Sequence, residues 1–93
     1  MTITSAQRKE LRRRGQTLSE TARLGKNGLN AGFVAKLNEL LTQKELVKLR
    51  LNAEVEGEAR KALAQEVAAA GNAECVALTG RTVLLFRPKS NPA

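Results

Sequence analysis

The chain has 93 residues and a mass of 10.1 kDa, a length that fits one small domain and excludes a two-domain enzyme. Hydrophobic residues make up 42% and charged residues 27%, a balance typical of a soluble globular protein rather than a disordered one. With 16 Lys and Arg against 9 Asp and Glu, the formal net charge is +7 and the pI is near 10.4, which favours a polyanionic partner.

The positive charge is concentrated in the first half of the chain. Residues 1–50 hold 11 basic and 4 acidic side chains, an excess of +7, whereas residues 51–93 hold 5 of each. A one-sided excess indicates a face that meets a negative partner, and nucleic acid is the first candidate. The alternative is a basic surface that is simply solvated.

The residue types that are absent argue against catalysis. The chain has no His, one Cys, no Trp and no Tyr, so the usual acid–base residue and most metal-ligand sets are lacking. Cys75 lies in the apolar run AECVAL and is expected in the core. We therefore expect no enzyme activity, no cofactor or metal, and no small-molecule substrate. The lack of a disulfide framework, signal peptide or long apolar run predicts a cytoplasmic protein that does not enter a membrane.

The first predicted element is a helix from residue 4 to about residue 15, with Thr4 or Ser5 as its N-cap. At about 100° per residue, this helix carries apolar positions on one side and basic positions on the other. The basic side chains are Arg8, Lys9, Arg12 and Arg13. Like charges at this spacing destabilise an isolated helix, so the arrangement favours an anion-binding surface.

Residues 21–24 predict a short strand that runs directly into Gly25-Lys26-Asn27-Gly28. A second helix follows, with Asn30 as its N-cap. Its apolar stripe has helical period and consists of Phe33, Val34, Leu37, Leu40 and Leu41. This spacing assigns Phe33 to the core rather than to a base-stacking site.

The second half of the chain predicts a strand and then a helix. Residues 45–52 alternate as a strand. One face carries Val47, Leu49 and Leu51, and the other carries Leu46, Lys48 and Arg50. Residues 56–70 return to helical period, and Gly71-Asn72 supply a stop. The positions predicted to face inward are Ala59, Leu63, Val67 and Ala70.

The chain ends with a predicted hairpin. Residues 73–79 and 82–87 predict two strands separated only by Gly80-Arg81, a length that suits a tight antiparallel turn. We expect residues 88–93 to be a flexible tail and residues 1–93 to form one domain. The order αβαβαββ predicts an α/β (α+β) fold of two layers, with a four-stranded mixed sheet and three helices.

The four residues 25–28 form a G-x-x-G motif that carries the strongest functional signal. Glycines let the backbone turn sharply and approach a ligand closely, and the following helix N-terminus directs N–H groups toward the loop. A phosphate backbone could lie there, with Lys26 as a mobile positive charge and Asn27 as a hydrogen-bonding group. The alternative is a tight turn between strand and helix.

The scarcity of aromatic residues limits the kind of nucleic-acid surface. Only Phe33 and Phe86 exist, each beside apolar neighbours, so bases cannot be stacked as they are on RRM and OB-type surfaces. Recognition must use charge and backbone, for which the G-x-x-G clamp of KH domains is the closest physical precedent.

Four segments together resemble one known family. QRKELR, ARLGKNGL before an amphipathic helix, ELVKLRL and TGRTVLLFRP resemble, in this order, the CRM domain, an RNA splicing and ribosome maturation module, and its bacterial YhbY-type members. The resemblance covers about residues 4–88. It departs at Leu18-Ser19, where members often have a Lys-Pro pair, and at Phe86, where they often have Tyr.

The resemblance implies RNA binding through the G-x-x-G loop and adjoining basic surface, and association with ribosomal RNA in precursors of the large (50S) subunit. The implied RNA-binding residues are Gly25, Lys26, Asn27, Gly28, Arg8, Arg12, Lys48 and Arg87. Spacing alone extends this surface to Arg13, Arg14 and Arg50. We therefore expect a monomeric ribosome assembly factor that binds without catalysis. The alternatives are a splicing or regulatory RNA-binding factor and a basic adaptor that docks on an acidic protein or membrane surface.

Overall fold

A computed structural model describes residues 3–25, 28–52 and 54–88, and the element order is αβαβαββ as predicted. Three helices and four strands are present in these ranges. The elements are α1 (Ser5–Gly15), β1 (Ala22–Arg23), α2 (Ala31–Lys44), β2 (Leu46–Arg50), α3 (Gly57–Ala70), β3 (Glu74–Thr79) and β4 (Thr82–Phe86). Lys26, Asn27 and most of the predicted tail, residues 89–93, lie outside the described residues.

Side-chain caps begin the first two helices, as the sequence predicts. The Thr4 hydroxyl accepts from the Gln7 backbone N–H at 3.0 Å, and the Gln7 side chain accepts from the Thr4 N–H at 2.8 Å, which completes a capping box. In α2 the Asn30 side chain accepts from the Phe33 N–H at 2.8 Å. These bonds satisfy N–H groups that have no partner within the helix.

The four strands form one mixed sheet in the order β1-β2-β4-β3. β1 is parallel to β2, whereas β2 and β3 are both antiparallel to β4. The β3–β4 turn uses Gly80 at φ 60°, a conformation that glycine adopts without steric cost. The register between β3 and β4 shifts between Cys75 and Ala77, which marks a bulge in the edge strand β3.

Helices cover both faces of the sheet, so the predicted two layers are in fact three. The larger core lies between the sheet and the helices α2 and α3, and it contains Leu37, Leu41, Val47, Leu49, Val67 and Leu85. On the opposite face, Ile3 and Leu11 cover a smaller cluster formed with Leu46, Val76 and Leu84. The physical reason is that β2 and β4 carry apolar residues on both faces, and each apolar face needs a cover.

The inward face of α3 agrees with the prediction at Val67 and Leu63 and differs from it at Ala59 and Ala70. Ala59 is exposed and Ala70 is only partly buried, whereas Ala64, Val67 and Ala68 form the buried stripe and Leu63 borders it. The helix contains many alanines on several sides, so the apolar pattern predicts its large inward residues but not which alanines are buried. The predictions for Phe33 and Cys75 are confirmed, because both pack against the larger core.

Candidate nucleic-acid interface

The predicted loop leaves the sheet at a defined end. β1 ends at Arg23, which is in register with Arg50, and the Leu24 N–H donates to the Arg50 carbonyl at 2.8 Å. The Gly28 N–H donates to the Gly25 carbonyl at 3.1 Å, and Gly28 has a φ of 66°. The loop therefore lies at the end of the sheet where β2 ends and β4 begins.

A row of polar side chains crosses the sheet beside this loop. The strand register aligns four residues, one from each strand, side by side across the sheet: Arg23, Arg50, Thr82 and Thr79. They share the face of the sheet on which α1 lies, because they alternate with the core residues Leu49 and Val83. Before β1, the Glu20 carboxylate accepts from Arg50 Nη1 and from Thr82 Oγ1, both at 3.4 Å.

A groove of about 370 Å³ lies between α1 and this row. Its lining contains two cations, Arg12 and Lys48, and the hydroxyls of Thr79 and Thr82. Its floor is Leu84 and Ala77. We refer to it as the loop-side groove, because its residues Thr79 and Thr82 lie at the end of the sheet where β1 leads into Gly25.

Close packing at the end of α1 shapes the loop-side groove. Gly15 is buried against β4, and a Cβ atom there would lie 2.5 Å from Leu84 Cδ2. Lys48 Nζ donates to the carbonyls of Gly15 at 3.2 Å and Leu18 at 3.3 Å. A cation at the C-terminal end of a helix also interacts favourably with the helix dipole. Lys48 therefore fixes the end of α1 while it lines the groove.

Arg12 is the exposed cation of the loop-side groove. It projects from α1 one residue after the buried Leu11, and no described residue forms a hydrogen bond or ion pair with its side chain. Its guanidinium is therefore available to an anion without breaking a contact within the described part of the chain.

Arg8 and Arg13 lie elsewhere on the same helix. Arg8 Nη1 donates to the carbonyls of Cys75 at 2.9 Å and Val76 at 2.7 Å, so it joins α1 to the bulged edge strand β3. Arg13 points to solvent and pairs with Glu10, with an Nε–Oε1 distance of 3.1 Å. The hydrogen bond to Glu10 raises the pKa of Arg13, and the same bond lowers the pKa of the Glu10 carboxyl.

Arg87 lies away from the other residues that the sequence predicts to bind RNA. It follows the far end of β4, about five residues or roughly 16 Å from Thr82 along the strand. Its guanidinium donates to Asn38 Oδ1 at 2.7 Å, the Gly71 carbonyl at 2.8 Å, the Asn38 carbonyl at 3.0 Å and Thr42 Oγ1 at 3.0 Å. These four bonds hold α2 and the end of α3 to the sheet, on the face opposite α1.

Sequence reasoning did not identify four residues of this region: Glu20, Arg23, Thr79 and Thr82. Arg23 alternates with buried Leu24, and the two threonines flank the predicted Gly80-Arg81 turn. The alternation of residues along each strand indicates which of these side chains point away from the core. The pairing of all four strands is needed to show that they lie on one surface.

The chemistry of the region is that of an anion-binding surface. Guanidinium and ammonium groups, hydroxyl donors and a glycine turn can all hydrogen-bond phosphate oxygens. Among the described residues there is no group of three or more His, Cys, Asp or Glu side chains that could hold a metal ion. Burial raises the pKa of the Cys75 thiol, which therefore stays protonated at neutral pH. No described helix has the length and apolar character needed to cross a membrane.

Comparison with known proteins agrees with the resemblance. The model of the CRS1 / YhbY (CRM) domain matches residues 3–87. The chain belongs to this family. A Pseudomonas aeruginosa protein named "Probable RNA-binding protein PA4753" is 32% identical over 92 residues, which cover 99% of this chain and 88% of the relative. The CRM family and the name of this relative support RNA binding.

The fold of this CRM domain is also found in a solved structure. The solution structure of the hypothetical protein SAV1595 from Staphylococcus aureus matches with a TM-score of 0.83 at 22% identity. The match covers 99% of this chain and 95% of the other. It confirms the predicted α+β fold with three helices and a four-stranded mixed sheet.

Proposed function

We propose that this CRM domain binds RNA through the loop-side groove, residues 25–28 and the adjoining arginines of β1 and β2. The observation that carries the proposal is that Arg12 and Lys48 line one groove with two threonine hydroxyls, and that Arg50 pairs with Thr82 at the end of the sheet where β1 leads into the glycine loop. Such a surface contacts phosphates and sugars rather than base edges. No catalytic step is part of the proposal.

The partner that we propose is ribosomal RNA of the precursor large (50S) subunit, and the role is that of a cytoplasmic assembly factor. This part rests on the family resemblance, since the chain resembles the CRM domain, an RNA splicing and ribosome maturation module. The net charge of +7 supports it, because a small basic domain gains affinity from a densely charged folded RNA.

The RNA-binding part is tested by the salt dependence of affinity. We expect log K to fall linearly with log salt for a labelled RNA, and Arg12→Gln to make the slope less steep by about one contact. Lys61→Gln on α3 is the matched control, since this exposed cation lies on the opposite face of the domain. A slope that changes equally in both variants would contradict the assignment to the loop-side groove.

The ribosomal part is tested in growing cells by ultraviolet crosslinking and sequencing of the attached RNA. Enrichment of large-subunit ribosomal RNA that includes unprocessed precursor ends is the expected result. Enrichment of introns or messenger RNA would contradict the assembly role and favour splicing or regulation. Absence of crosslinks, together with partners that survive ribonuclease treatment, would favour a basic protein adaptor instead.

A further inference from the structure

A second basic groove lies on the other flank of α1. It has a volume of about 410 Å³. Its lining consists of Arg13, Arg14, Thr17, Leu18, Lys44 and Leu46. We call it the far groove, because α1 separates it from the loop-side groove. Three of its six lining residues are cations, and they come from two helices on opposite faces of the sheet.

The helix geometry explains why the two grooves flank α1. Leu11 and Gly15 are buried, so the direction between them faces the sheet. At about 100° per residue, Arg12 then lies about 80° to one side of that direction and Arg14 about 80° to the other. Two nearly adjacent arginines therefore point into different grooves.

Two of the three cations of the far groove are available to a ligand. Arg14 and Lys44 are exposed, and no described residue forms a hydrogen bond or ion pair with either side chain. The acidic partner recorded at this groove is Glu10, which already pairs with Arg13. Arg13, Arg14 and Lys44 bring three positive charges to this groove and Glu10 offsets only part of them, so an anion in the groove would reduce their mutual repulsion.

Hydrogen bonds hold the turn after α1, which contributes Thr17 and Leu18 to the far groove. The Thr17 hydroxyl donates to the Arg14 carbonyl at 3.1 Å, and Lys48 Nζ holds the Gly15 and Leu18 carbonyls from below. The turn after α1 therefore forms a fixed ridge with a basic groove on each side. Fixed ridges of this kind orient a ligand that contacts both sides at once.

We propose that the far groove binds the phosphate backbone of a second RNA strand, so that the preferred ligand is base-paired RNA. This inference rests on the proposed RNA-binding function and specifies its substrate class. An α-helix with its side chains is about 10–12 Å across, and Arg12 and Arg14 lie on opposite sides of α1. A single extended strand that lies in one groove therefore cannot place phosphate groups against both arginines. Base-paired A-form RNA has a wide, shallow minor groove between its two backbones, over which α1 can lie.

The experiment compares a blunt RNA hairpin with a single-stranded RNA of the same length and composition. The test variant is R14Q/K44Q, the control is K36Q/K61Q, which removes two exposed cations from α2 and α3, and Arg12→Gln reports on the loop-side groove. Log K against log salt is measured for each variant with each RNA. Thermal melting verifies that every variant is folded.

We expect R14Q/K44Q to make the hairpin slope less steep by about two and to leave the single-strand slope unchanged, while K36Q/K61Q changes neither. An unchanged hairpin slope in R14Q/K44Q would overturn the inference and leave the far groove to another anion, such as an acidic protein segment. Equal losses for both RNAs would also overturn it, because the far groove would then continue the path of one strand. If Arg12→Gln changes neither slope, the proposed function itself fails.

Discussion

Glu20 is the acidic residue that occupies the proposed phosphate path. Its carboxylate accepts hydrogen bonds from Arg50 and Thr82, two groups of the polar row beside the loop-side groove. A phosphate that binds Arg50 must displace or approach this carboxylate. Glu20 therefore competes with the ligand for a cation and lowers affinity relative to a neutral side chain.

Glu20→Gln is expected to increase RNA affinity about two- to fivefold at low salt and to steepen the salt slope, because a partly exposed ion pair contributes at most about 1 kcal/mol. Fluorescence anisotropy with labelled RNA measures the change. Glu66→Gln on α3 is the control for net charge, since it removes the same charge from an exposed position on the opposite face. Equal gains in the two variants would show that only overall charge matters.

Arg87 is basic, but its hydrogen bonds indicate a structural role rather than a role in RNA binding. Its four hydrogen bonds to Asn38, Gly71 and Thr42 link three elements of the larger core, so its charge is directed inward. We expect Arg87→Ala to reduce the free energy of unfolding by about 1–3 kcal/mol, since hydrogen bonds to a charged group are lost. The RNA salt slope should stay unchanged once unfolded protein is excluded.

Urea denaturation and RNA titration of the same Arg87→Ala protein measure the two effects, with Lys36→Ala as the exposed control. A stable variant with a slope reduced by one contact would contradict the structural role and support the RNA contact that the family resemblance implies.

At the scale of elements, the two glycines of the loop differ in whether the backbone conformation requires glycine. Gly28 has a φ of 66°, so a side chain there is strained. Gly25 has no positive φ, and a Cβ built on it meets no atom within 4 Å. The fold therefore requires Gly28, whereas nothing in the described residues requires Gly25.

We expect Gly28→Ala to destabilise the domain by about 1–2 kcal/mol and Gly25→Ala to leave the melting temperature nearly unchanged. If Gly25→Ala nevertheless weakens RNA binding, the glycine is needed because the RNA approaches the backbone closely at this position. Calorimetry and RNA titration separate the two effects. Unchanged RNA binding in the stable Gly25→Ala variant would count against the loop as a phosphate-binding element.

The elements themselves were predictable because their signals are local. The caps Thr4 and Asn30, the stripe through Leu37 and Leu41, and the glycine turn at Gly80 lie within a few residues of the structure that they specify. The face of α3 was predictable only at Leu63 and Val67, since alanines on several sides give little contrast between its buried and exposed positions.

The candidate site was predictable only in part, because its geometry depends on long-range packing. The sequence indicates the loop, Arg12 and Lys48, but the groove exists where α1 crosses the sheet and where Gly15 meets Leu84. The separation of Arg12 from Arg14 by the helix, and the inward direction of Arg87, likewise depend on contacts between elements distant in sequence. Patterns in the sequence do not specify such contacts.

At the scale of the molecule, the larger core stabilises the surface on which the charges are displayed. Leu37 is fully buried, and it packs with residues of α3 and the sheet. We expect Leu37→Ala to reduce the free energy of unfolding by about 2–5 kcal/mol, because it removes buried methyl groups and leaves a cavity. Urea denaturation followed by circular dichroism measures the loss, and a negligible change would contradict the assigned core.

The distribution of charge over the molecule agrees with one working face. The net charge of +7 comes from residues 1–50, and within that half α1 carries five cations against one Glu, whereas α2 carries two cations and one Glu. The face covered by α2 and α3 instead includes Glu58, Glu66 and Lys61, so its charges largely balance. RNA bound through phosphates should therefore contact the α1 side of the domain.

The most direct test of this account is an NMR titration of the isotopically labelled protein with an RNA hairpin. We expect the largest amide shift changes in three places around the loop-side groove: Arg12 to Gln16, Arg23 to Gly28, and Thr79 to Thr82. Changes confined to the outer faces of α2 and α3, with the groove and loop amides unmoved, would contradict it.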